Sequence, residues 1–200
     1  MDEKLKEAYI SFYSHDYKKA KDIFKNADLP YEAGLSAFML RDLKFAEKCF
    51  RQKENICPAS NFGLIILDII EDKIPKQPKY FQTRCFLEVY LNLLIENNLL
   101  SWAQKIIDNY ELFCKTNLET PKFIARVLYA NNYYKAVHSF ANLAKSLCFY
   151  DAEIHYIDAV VYMDEKDYKK AKECIKDCIS FAPDYYPIAR LNEELINLTK

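Results

Sequence analysis

Three cysteines and a histidine in the last third of the sequence are the residues best suited to metal or thiol chemistry. Cys174 and Cys178 are four residues apart, so one face of a helix can present both, and Cys148 and His155 lie upstream in the same region. A structural zinc site needs four converging ligands, which commonly include a Cys-x-x-Cys pair, and the sequence has no such pair. We therefore interpret these cysteines as buried structural thiols. A helical protein that uses the four residues for metal or thiol chemistry is kept as an alternative hypothesis.

A cysteine–histidine nucleophilic pair is a second chemistry that these residue types would allow. The three histidines are His15, His138 and His155, and no cysteine or serine stands in a sequence setting typical of a nucleophile. The sequence has only two glycines, Gly34 and Gly63, whereas oxyanion and phosphate loops depend on glycine for backbone with positive φ. We therefore predict a protein that is not an enzyme, with no catalytic residues, no metal site and no cofactor.

The balance of charge argues against a nucleic-acid partner. Lys and Arg number 28 and Asp and Glu number 29, which gives a formal net charge of -1 at pH 7. Affinity for phosphate backbones requires clustered cations, and this chain has no excess of them to cluster. Acidic residues such as Asp164, Glu165 and Asp167 fall near predicted helix ends, where we interpret them as solvated caps and turns.

The cysteines and the first residues predict a reducing compartment. Seven cysteines, an odd number, are scattered along the chain, and the opening Met1-Asp2-Glu3-Lys4 is not followed by an apolar stretch of the secretory type. The longest apolar run, 62–67, is far shorter than the ~18 residues that a membrane-spanning helix needs. We expect a soluble cytoplasmic protein without membrane insertion, or a nuclear one if the source is eukaryotic.

The elements that must position all these residues are helices. Leu5, Ala8, Tyr9 and Phe12 recur at intervals of three and four residues, which is the spacing of one helix face. The seven prolines lie near the ends of such runs, and no stretch alternates convincingly with the period of a β-strand. We predict little or no strand and helices at 2–14, 17–27, 31–40, 43–54, 59–71, 80–97, 99–114, 121–130, 133–148, 152–164, 167–180 and 184–198.

An internal repeat organises these helices into pairs. The hexapeptide Asp-Tyr-Lys-Lys-Ala-Lys occurs at 16–21 and again at 167–172. In both copies an alanine of the preceding helix, Ala8 or Ala159, lies twelve residues before the alanine of the hexapeptide. Small residues on both helices let two backbones approach closely, so each copy predicts a helical hairpin.

Three more alanines, Ala46, Ala103 and Ala136, fit the same pattern. Each of the five alanine anchors has a large apolar residue three positions before it and another four positions after it. Those before are Tyr17, Leu43, Leu100, Tyr133 and Tyr168, and those after are Phe24, Phe50, Ile107, Phe140 and Ile175. The anchors are 26, 57, 33 and 35 residues apart, which predicts five hairpins with an extra helix at 59–71.

The hairpin pattern resembles the tetratricopeptide repeat family, whose unit is a 34-residue helix-turn-helix that stacks into a superhelix. The match is best at 152–185, where the signature positions hold His155, Ala159, Tyr162, Tyr168, Ala171, Ile175, Cys178 and Pro183. The first two copies match through Ala8, Tyr17, Ala20, Phe24 and Ala27, and through Gly34, Ala37, Ala46, Phe50 and Pro58. In the two middle copies Leu91 and Ile124 replace the small residue of the first helix. The resemblance implies an all-α fold, an α-solenoid of antiparallel helix hairpins in a right-handed superhelix, with a C-terminal capping helix.

We predict two helical blocks joined by a short linker. The linker is the segment 73–79, whose three lysines and two prolines should keep it extended and stiff. It separates an N-terminal block at 1–72, with two repeats and the extra helix, from a C-terminal block at 80–200. The second block contains three repeats and a capping helix with a polar outer side.

The resemblance also implies where a partner would bind. In such a stack the inner surface is lined by the first helices of the hairpins, one turn away from their small residue. This register selects as groove residues Tyr9, Phe12, Tyr13, Leu35, Phe38, Met39, Asn92, Ile95, Glu96, Leu128, Tyr129, Tyr156, Val160 and Met163. Large apolar and tyrosine side chains on a concave surface are suited to anchor a peptide or a helix of a protein partner.

We therefore expect a non-enzymatic scaffold or adaptor that binds a partner peptide or helix in this groove. Family members that capture a C-terminal carboxylate present Lys, Asn and Arg on their first helices, and here only Asn92 is of that type, so a carboxylate clamp is not expected. One alternative is a structural subunit of a larger assembly of repeat proteins, like the anaphase-promoting complex, that associates with itself as a homodimer. The metal- or thiol-dependent protein described above is the other.

Overall fold

The structure, a computed structural model, describes residues 3–199, and all of its regular elements are helices. In chain order the thirteen helices of the described residues are α1 (Glu3–Tyr13), α2 (Tyr17–Asn26), α3 (Pro30–Met39), α4 (Leu43–Arg51), α5 (Pro58–Ile70), α6 (Tyr80–Glu96), α7 (Leu100–Asp108), α8 (Tyr110–Cys114), α9 (Thr120–Ala130), α10 (Tyr134–Leu147), α11 (Ala152–Asp164), α12 (Tyr168–Phe181) and α13 (Tyr186–Leu198). No strand occurs within 3–199, which confirms the all-α prediction. Met1, Asp2 and Lys200, which the predicted blocks include, lie outside the described residues.

The helix predicted at 99–114 is in fact two helices, α7 and α8. The break falls at Asn109, whose backbone N–H donates to the carbonyls of Lys105 and Ile106 over 3.3 and 3.2 Å. The Asn109 side-chain Nδ2 also donates to the Lys105 carbonyl over 2.8 Å, and satisfying the last carbonyls in this way ends a helix. The single helix was a wrong prediction because the apolar spacing continues across the break.

The chain divides into two compact units. Unit 1 runs to Gln82 and resumes at Leu93–Asn109, and unit 2 comprises Thr83–Asn92 and the chain from Tyr110 onward. The predicted linker, 73–79, forms no helix and belongs to unit 1. Helix α7, which the sequence analysis assigned to the C-terminal block, also belongs to unit 1.

In both units the helices pack against their neighbours along the chain and so form consecutive hairpins. The pairs run from α1/α2 to α4/α5 in unit 1 and from α8/α9 to α12/α13 in unit 2. Alternate helices also touch, with α3 against α5 in unit 1 and with α9 and α13 against α11 in unit 2. This arrangement is consistent with an α-solenoid, in which each hairpin stacks on the next.

Seven non-glycine residues between the helices of the described chain share one backbone geometry, Asp28 and Asp72 among them, and we call the five that lie inside the predicted hairpins the turn residues. The turn residues are His15, Arg41, Asn98, Asn132 and Lys166, and their φ values lie between 56° and 66° although none of them is glycine. In each turn the N–H of the next residue donates to the carbonyl five positions earlier over 2.7–2.9 Å, which is the bonding of a Schellman helix end. The turn residues are 26, 57, 34 and 34 positions apart, so the last three turns recur at an equal spacing.

The turns also correct the register of the fourth hairpin. Five positions after each turn residue lies a residue that is only 0–3% exposed, and these residues are Ala20, Ala46, Ala103, Val137 and Ala171. The predicted anchor Ala136 is only half-buried, and the equivalent small residue of the first helix is Ala125 rather than Ile124. The prediction was one residue off because Tyr133 and Tyr134 are adjacent and either can fill the aromatic position before the anchor.

The aspartate of the repeated hexapeptide caps the second helix of its hairpin. Asp16 Oδ1 accepts a hydrogen bond from the Lys19 N–H over 3.1 Å, and Asp167 Oδ1 accepts one from the Lys170 N–H over 3.2 Å. Asp42 caps α4 in the same way. An aspartate at this position satisfies an N–H group of the first helical turn, so the interpretation of Asp167 as a cap is confirmed.

Gly34 allows α3 and α4 to approach each other closely. A Cβ atom at this position would lie 2.7 and 2.9 Å from Cε1 and Cδ1 of Phe50, and 3.0 Å from Cβ of Cys49. Phe50 is fully buried, and its ring centroid lies 5.9 Å from that of Tyr31. A side chain at position 34 would therefore have to displace the Phe50 ring or push the two helices apart.

Candidate partner-binding face

The structure places six of the predicted groove residues in the cores of the two units. They are Phe12, Leu35, Phe38 and Met39 in unit 1 and Leu128 and Met163 in unit 2, all 1–8% exposed. The Phe38 ring, for example, lies 5.1 Å from the ring of Trp102 on α7. Side chains that are packed between the helices of one unit in this way stabilise its core and are not accessible to a partner.

The remaining predicted groove residues of unit 1 are more accessible. Tyr13 is 76% exposed, Glu96 is exposed, and Tyr9 and Ile95 are half-buried. The Tyr9 ring packs edge-on against the Phe24 ring, with 5.0 Å between their centroids. Tyr13 is therefore the predicted aromatic residue of unit 1 that is most open to a partner.

The other four predicted groove residues, Asn92, Tyr129, Tyr156 and Val160, belong to unit 2 and are half-buried. Tyr129 lies near Tyr156, and Tyr156 and Val160 pack against one core cluster. Helical spacing explains this grouping, because residues three or four apart on a helix share a face. We call the surface around these residues the tyrosine face. It consists of residues linked to one another by hydrogen bonds, ring contacts, charge or packing: Glu88 and Asn92 of α6, Arg126 and Tyr129 of α9, Tyr134 of α10, Glu153, Tyr156, Val160 and Asp164 of α11, and Tyr185. Asn131, which ends α9, donates from Nδ2 to Asn92 Oδ1 over 3.0 Å and so ties α6 to α9.

Two pairs of tyrosine rings lie on the tyrosine face. Tyr129 and Tyr134 are stacked and Tyr156 and Tyr185 meet edge-on, with 6.3 Å between the ring centroids in both pairs. Burial raises the pKa of Tyr129, and the nearby Asp164 carboxylate raises it further, so its hydroxyl is protonated at neutral pH. The face therefore offers ring surfaces and hydroxyl groups side by side.

Arg126 links three helices across the tyrosine face. Its Nε and Nη2 donate to the two carboxylate oxygens of Glu153 over 2.5 Å each, and its Nη1 donates to Glu88 Oε1 over 3.0 Å. The hydrogen bonds to Glu153 keep the pKa of Arg126 above its usual range in spite of partial burial. A bidentate pair of this kind has a fixed geometry, so it sets the spacing of α9 and α11.

Lys122 forms a second ionic link at the edge of the tyrosine face. It is 7% exposed, and its Nζ lies 2.6 Å from Asp151 Oδ2 and 2.8 Å from Glu119 Oε1. Burial alone would lower the pKa of Lys122, but these hydrogen bonds raise it above its usual value. The ammonium group therefore stays charged and is neutralised by carboxylates of the protein itself.

The four residues of the metal or thiol hypothesis, Cys148, His155, Cys174 and Cys178, do not form one metal-binding group. Cys174 and Cys178 are buried and Cys148 is exposed, while His155 Nε2 lies 2.8 Å from the carbonyl oxygen of Phe149. Within 3–199 no group of three or more His, Cys, Asp and Glu side chains has the geometry to hold a metal ion. Burial raises the pKa of Cys174 to about 12 and that of Cys178 to about 11. Both thiols are therefore protonated at neutral pH and are poor nucleophiles.

The sequence analysis missed a buried carboxylate, Asp158. It is 1% exposed, and its oxygens contact the Nζ of Lys145, the Nδ1 of His138 at 2.5 Å and the Sγ of Cys174 at 3.6 Å. A buried carboxylate needs such partners because its desolvation is otherwise costly. The sequence does contain a sign of this carboxylate, because Asp158 is a charged residue within the apolar stripe of the helix predicted at 152–164. A charge in such a position implies an opposite charge on a neighbouring helix.

His138 extends this cluster to the surface. Its Nδ1 faces Asp158, its Nε2 lies 3.0 Å from Glu165 Oε2, and its ring stacks on the ring of Tyr162 at 4.0 Å. Lys170 of α12 also contacts the Tyr162 ring, with its Nζ 5.2 Å from the ring centroid. The cluster joins α10, α11 and α12, and we assign it to the stability of unit 2.

The buried ring of His155 predicts a loss of stability in mildly acidic solution. It is 1% exposed, and its Nδ1 has no hydrogen-bond partner among the described residues. Burial lowers the pKa of His155 below its ordinary value of 6.5, so the folded state keeps the ring neutral where the unfolded chain binds a proton. The free energy of unfolding is therefore highest above pH 6.5 and falls below it. The loss is at most about 1.4 kcal/mol per pH unit, until the folded-state pKa is reached.

Urea unfolding at about pH 7.5 and about pH 5 measures this loss. The variant His155→Phe is the matched control, because it keeps an aromatic ring against Phe149 and Phe181 but carries no titratable nitrogen. Its stability should fall less between the two pH values than that of the wild type. An equal fall in both proteins would rule out His155 as the cause.

The fold defines an all-α protein built from consecutive helical hairpins. Comparison of the chain with protein-family models, with curated proteins and with solved structures gave no match. Within the described residues, no helix combines the length and the apolar character that crossing a bilayer requires. Because no similar protein indicates a site, the candidate site is defined by the geometry of the tyrosine face alone.

Proposed function

We propose that the protein is a non-enzymatic interaction module of the tetratricopeptide-repeat type, which binds a segment of a partner protein on the tyrosine face. The observation that carries this proposal is the grouping of half-buried tyrosines from α9, α10, α11 and the start of α13 on one surface of unit 2. Tyrosine supplies a large share of the binding energy at protein interfaces, because its ring is apolar and its hydroxyl forms hydrogen bonds.

The recurrence of one turn supports the assignment to this repeat type. The last three turn residues, Asn98, Asn132 and Lys166, are 34 positions apart, and 34 residues is the length of the tetratricopeptide repeat. In unit 2 the first helices of successive hairpins, α9 and α11, lie side by side. Repeat proteins form extended binding surfaces from such rows of equivalent helices.

The state of the nucleophilic side chains supports a function without catalysis. The thiols of Cys174 and Cys178 are buried and protonated at neutral pH. His155 Nε2 is bonded to a backbone carbonyl, and both ring nitrogens of His138 face carboxylates. Each of these groups is engaged by another part of the protein and none is paired with an activated nucleophile.

A randomised peptide library selected on the immobilised full chain tests this proposal. Enriched peptides should bind the variant Tyr156→Ser at least about tenfold more weakly than the wild type, as expected for the loss of an aromatic anchor. The matched control is Tyr150→Ser, since Tyr150 is 76% exposed and does not belong to the tyrosine face. Circular dichroism verifies that both variants keep their helicity. Selected peptides that bind both variants equally well would contradict the proposal.

Exposed apolar side chains on α1 and α13 favour a second candidate function, self-association within a larger assembly. Ile10 and Tyr13 are 59% and 76% exposed, and Tyr186 and Leu198 are 73% and 55% exposed. The outer side of α13 is therefore apolar in part, besides the predicted polar residues such as Glu193. A dimer in sedimentation equilibrium that dissociates in Tyr13→Lys or Tyr186→Lys would favour this function, and a monomer would favour the binding module.

A further inference from the structure

Charges on and beside the tyrosine face are unequal in number. Three cations, Arg84, Lys122 and Arg126, lie on the face or at its edge. The five carboxylates of the same surface are Glu88, Glu119, Asp151, Glu153 and Asp164. The surface thus has a formal surplus of two negative charges, although the whole chain is nearly neutral at -1.

The cations of this surface are already bound by its carboxylates. Lys122 contacts Asp151 and Glu119, and the guanidinium of Arg126 is held by two oxygens of Glu153 and one of Glu88. An anionic partner would have to break these pairs before it met a positive charge. A cationic partner would meet carboxylates whose remaining lone pairs are still available.

Asp164 is the carboxylate best placed to receive such a partner. It is exposed and forms no ion pair with any residue in 3–199. Burial raises the pKa values of Tyr134 and Tyr129, and the charge of Asp164 raises them further, while the Tyr134 hydroxyl itself donates to Asn132 Oδ1 over 3.1 Å. The stacked rings of Tyr129 and Tyr134 therefore lie beside an unpaired negative charge.

We propose that the tyrosine face binds an extended segment of a partner protein that bears lysine or arginine side chains. One cationic head group lies over the Tyr129 and Tyr134 rings and against Asp164. Aromatic ring faces attract cations, and the aliphatic stems of lysine and arginine pack on apolar surface while their head groups reach a carboxylate. This inference rests on the proposed function, because it names the chemistry of the partner that the face accepts.

The peptides selected on the full chain supply the first test. Lysine and arginine should be enriched in them over aspartate and glutamate. A selected peptide and its Lys→Gln counterpart are then compared by fluorescence anisotropy, and the counterpart should bind about fivefold more weakly, as expected for one cation–π contact with an ion pair. The affinity of the cationic peptide should also fall as salt is raised.

The variant Asp164→Asn tests the placement of the cation. It should weaken the cationic peptide about fivefold and leave the Lys→Gln peptide unchanged, whereas Glu173→Gln, an exposed site on α12, should affect neither. Selected peptides without a cationic excess that still lose affinity for Tyr156→Ser would overturn this inference and leave the proposed function standing. Peptides that bind Tyr156→Ser as well as the wild type would overturn both. A cationic peptide that binds the Asp164→Asn variant as tightly as the wild type would overturn the placement of its cationic head group against Asp164.

Discussion

Asp158→Ala is expected to lower the free energy of unfolding by about 3–5 kcal/mol, which is the usual cost of removing one partner from a buried ion pair. The substitution removes the carboxylate that the Lys145 ammonium and the His138 ring both contact. Asp158 is 1% exposed, so water does not easily take its place. Urea denaturation followed by circular dichroism measures the loss.

Two further variants make this prediction specific. Asp164→Ala lies on the same helix but is exposed and forms no ion pair within the described residues, so it should change the free energy of unfolding by about 0.5 kcal/mol or less. The double variant Asp158→Leu with Lys145→Met should lose less than Asp158→Ala, because no unpaired ammonium remains inside the protein. A loss below about 1 kcal/mol for Asp158→Ala would show that the cluster does not stabilise unit 2.

Gly34→Ala is expected to lower the free energy of unfolding by about 1–3 kcal/mol, as overpacking in a core usually does. Alanine is the better helix former by about 1 kcal/mol, but its Cβ would lie 2.7 Å from Cε1 of Phe50. Steric overlap with a fully buried ring therefore outweighs the gain in helix propensity. Urea denaturation measures the net effect.

A double-mutant cycle with Phe50→Leu separates the two effects. Without the ring, the added methyl group has space, so Gly34→Ala should cost clearly less in the Phe50→Leu background than in the wild type. The remaining contact is with Cβ of Cys49 at 3.0 Å, a distance that a small helix shift can relieve. The same cost in both backgrounds would mean that Gly34 does not set the approach of α3 and α4.

The hairpins could be predicted from the sequence, but the backbone geometry of the turn inside each hairpin could not. Apolar spacing and the positions of the prolines define the helices, because both act locally along the chain. With only two glycines in the sequence, no residue type marked the positions with positive φ, which His15, Arg41 and Lys166 adopt. In each of these turns the N–H of the residue after the turn residue donates to the carbonyl five positions earlier in the chain. This hydrogen bond and the packing of the two flanking helices keep the turn residue at positive φ.

The candidate site was predictable only in part, because a large apolar side chain has the same sequence signature whether it packs or binds. Phe38 was expected in the groove, but it packs on Trp102 of α7, a contact that no local pattern encodes. Tyr129 and Tyr156 lie on the surface as expected, since helical spacing keeps them away from their helices' buried stripes. Arg126 was missed because its carboxylate partners come from other helices.

Replacing the left-handed turn residues by glycine is a route to higher thermal stability. A side chain at such a φ costs roughly 1 kcal/mol more than glycine does, and His15 and Arg41 occupy two of these sites in unit 1. His15→Gly should raise the melting temperature without touching the tyrosine face, and Arg41→Gly should raise it less, because the contact of the Arg41 guanidinium, 5.9 Å from the Trp102 ring centroid, is lost. A chain strengthened in this way would tolerate more damaging changes among its tyrosines, so its preference for partners could be re-engineered from a safer starting point.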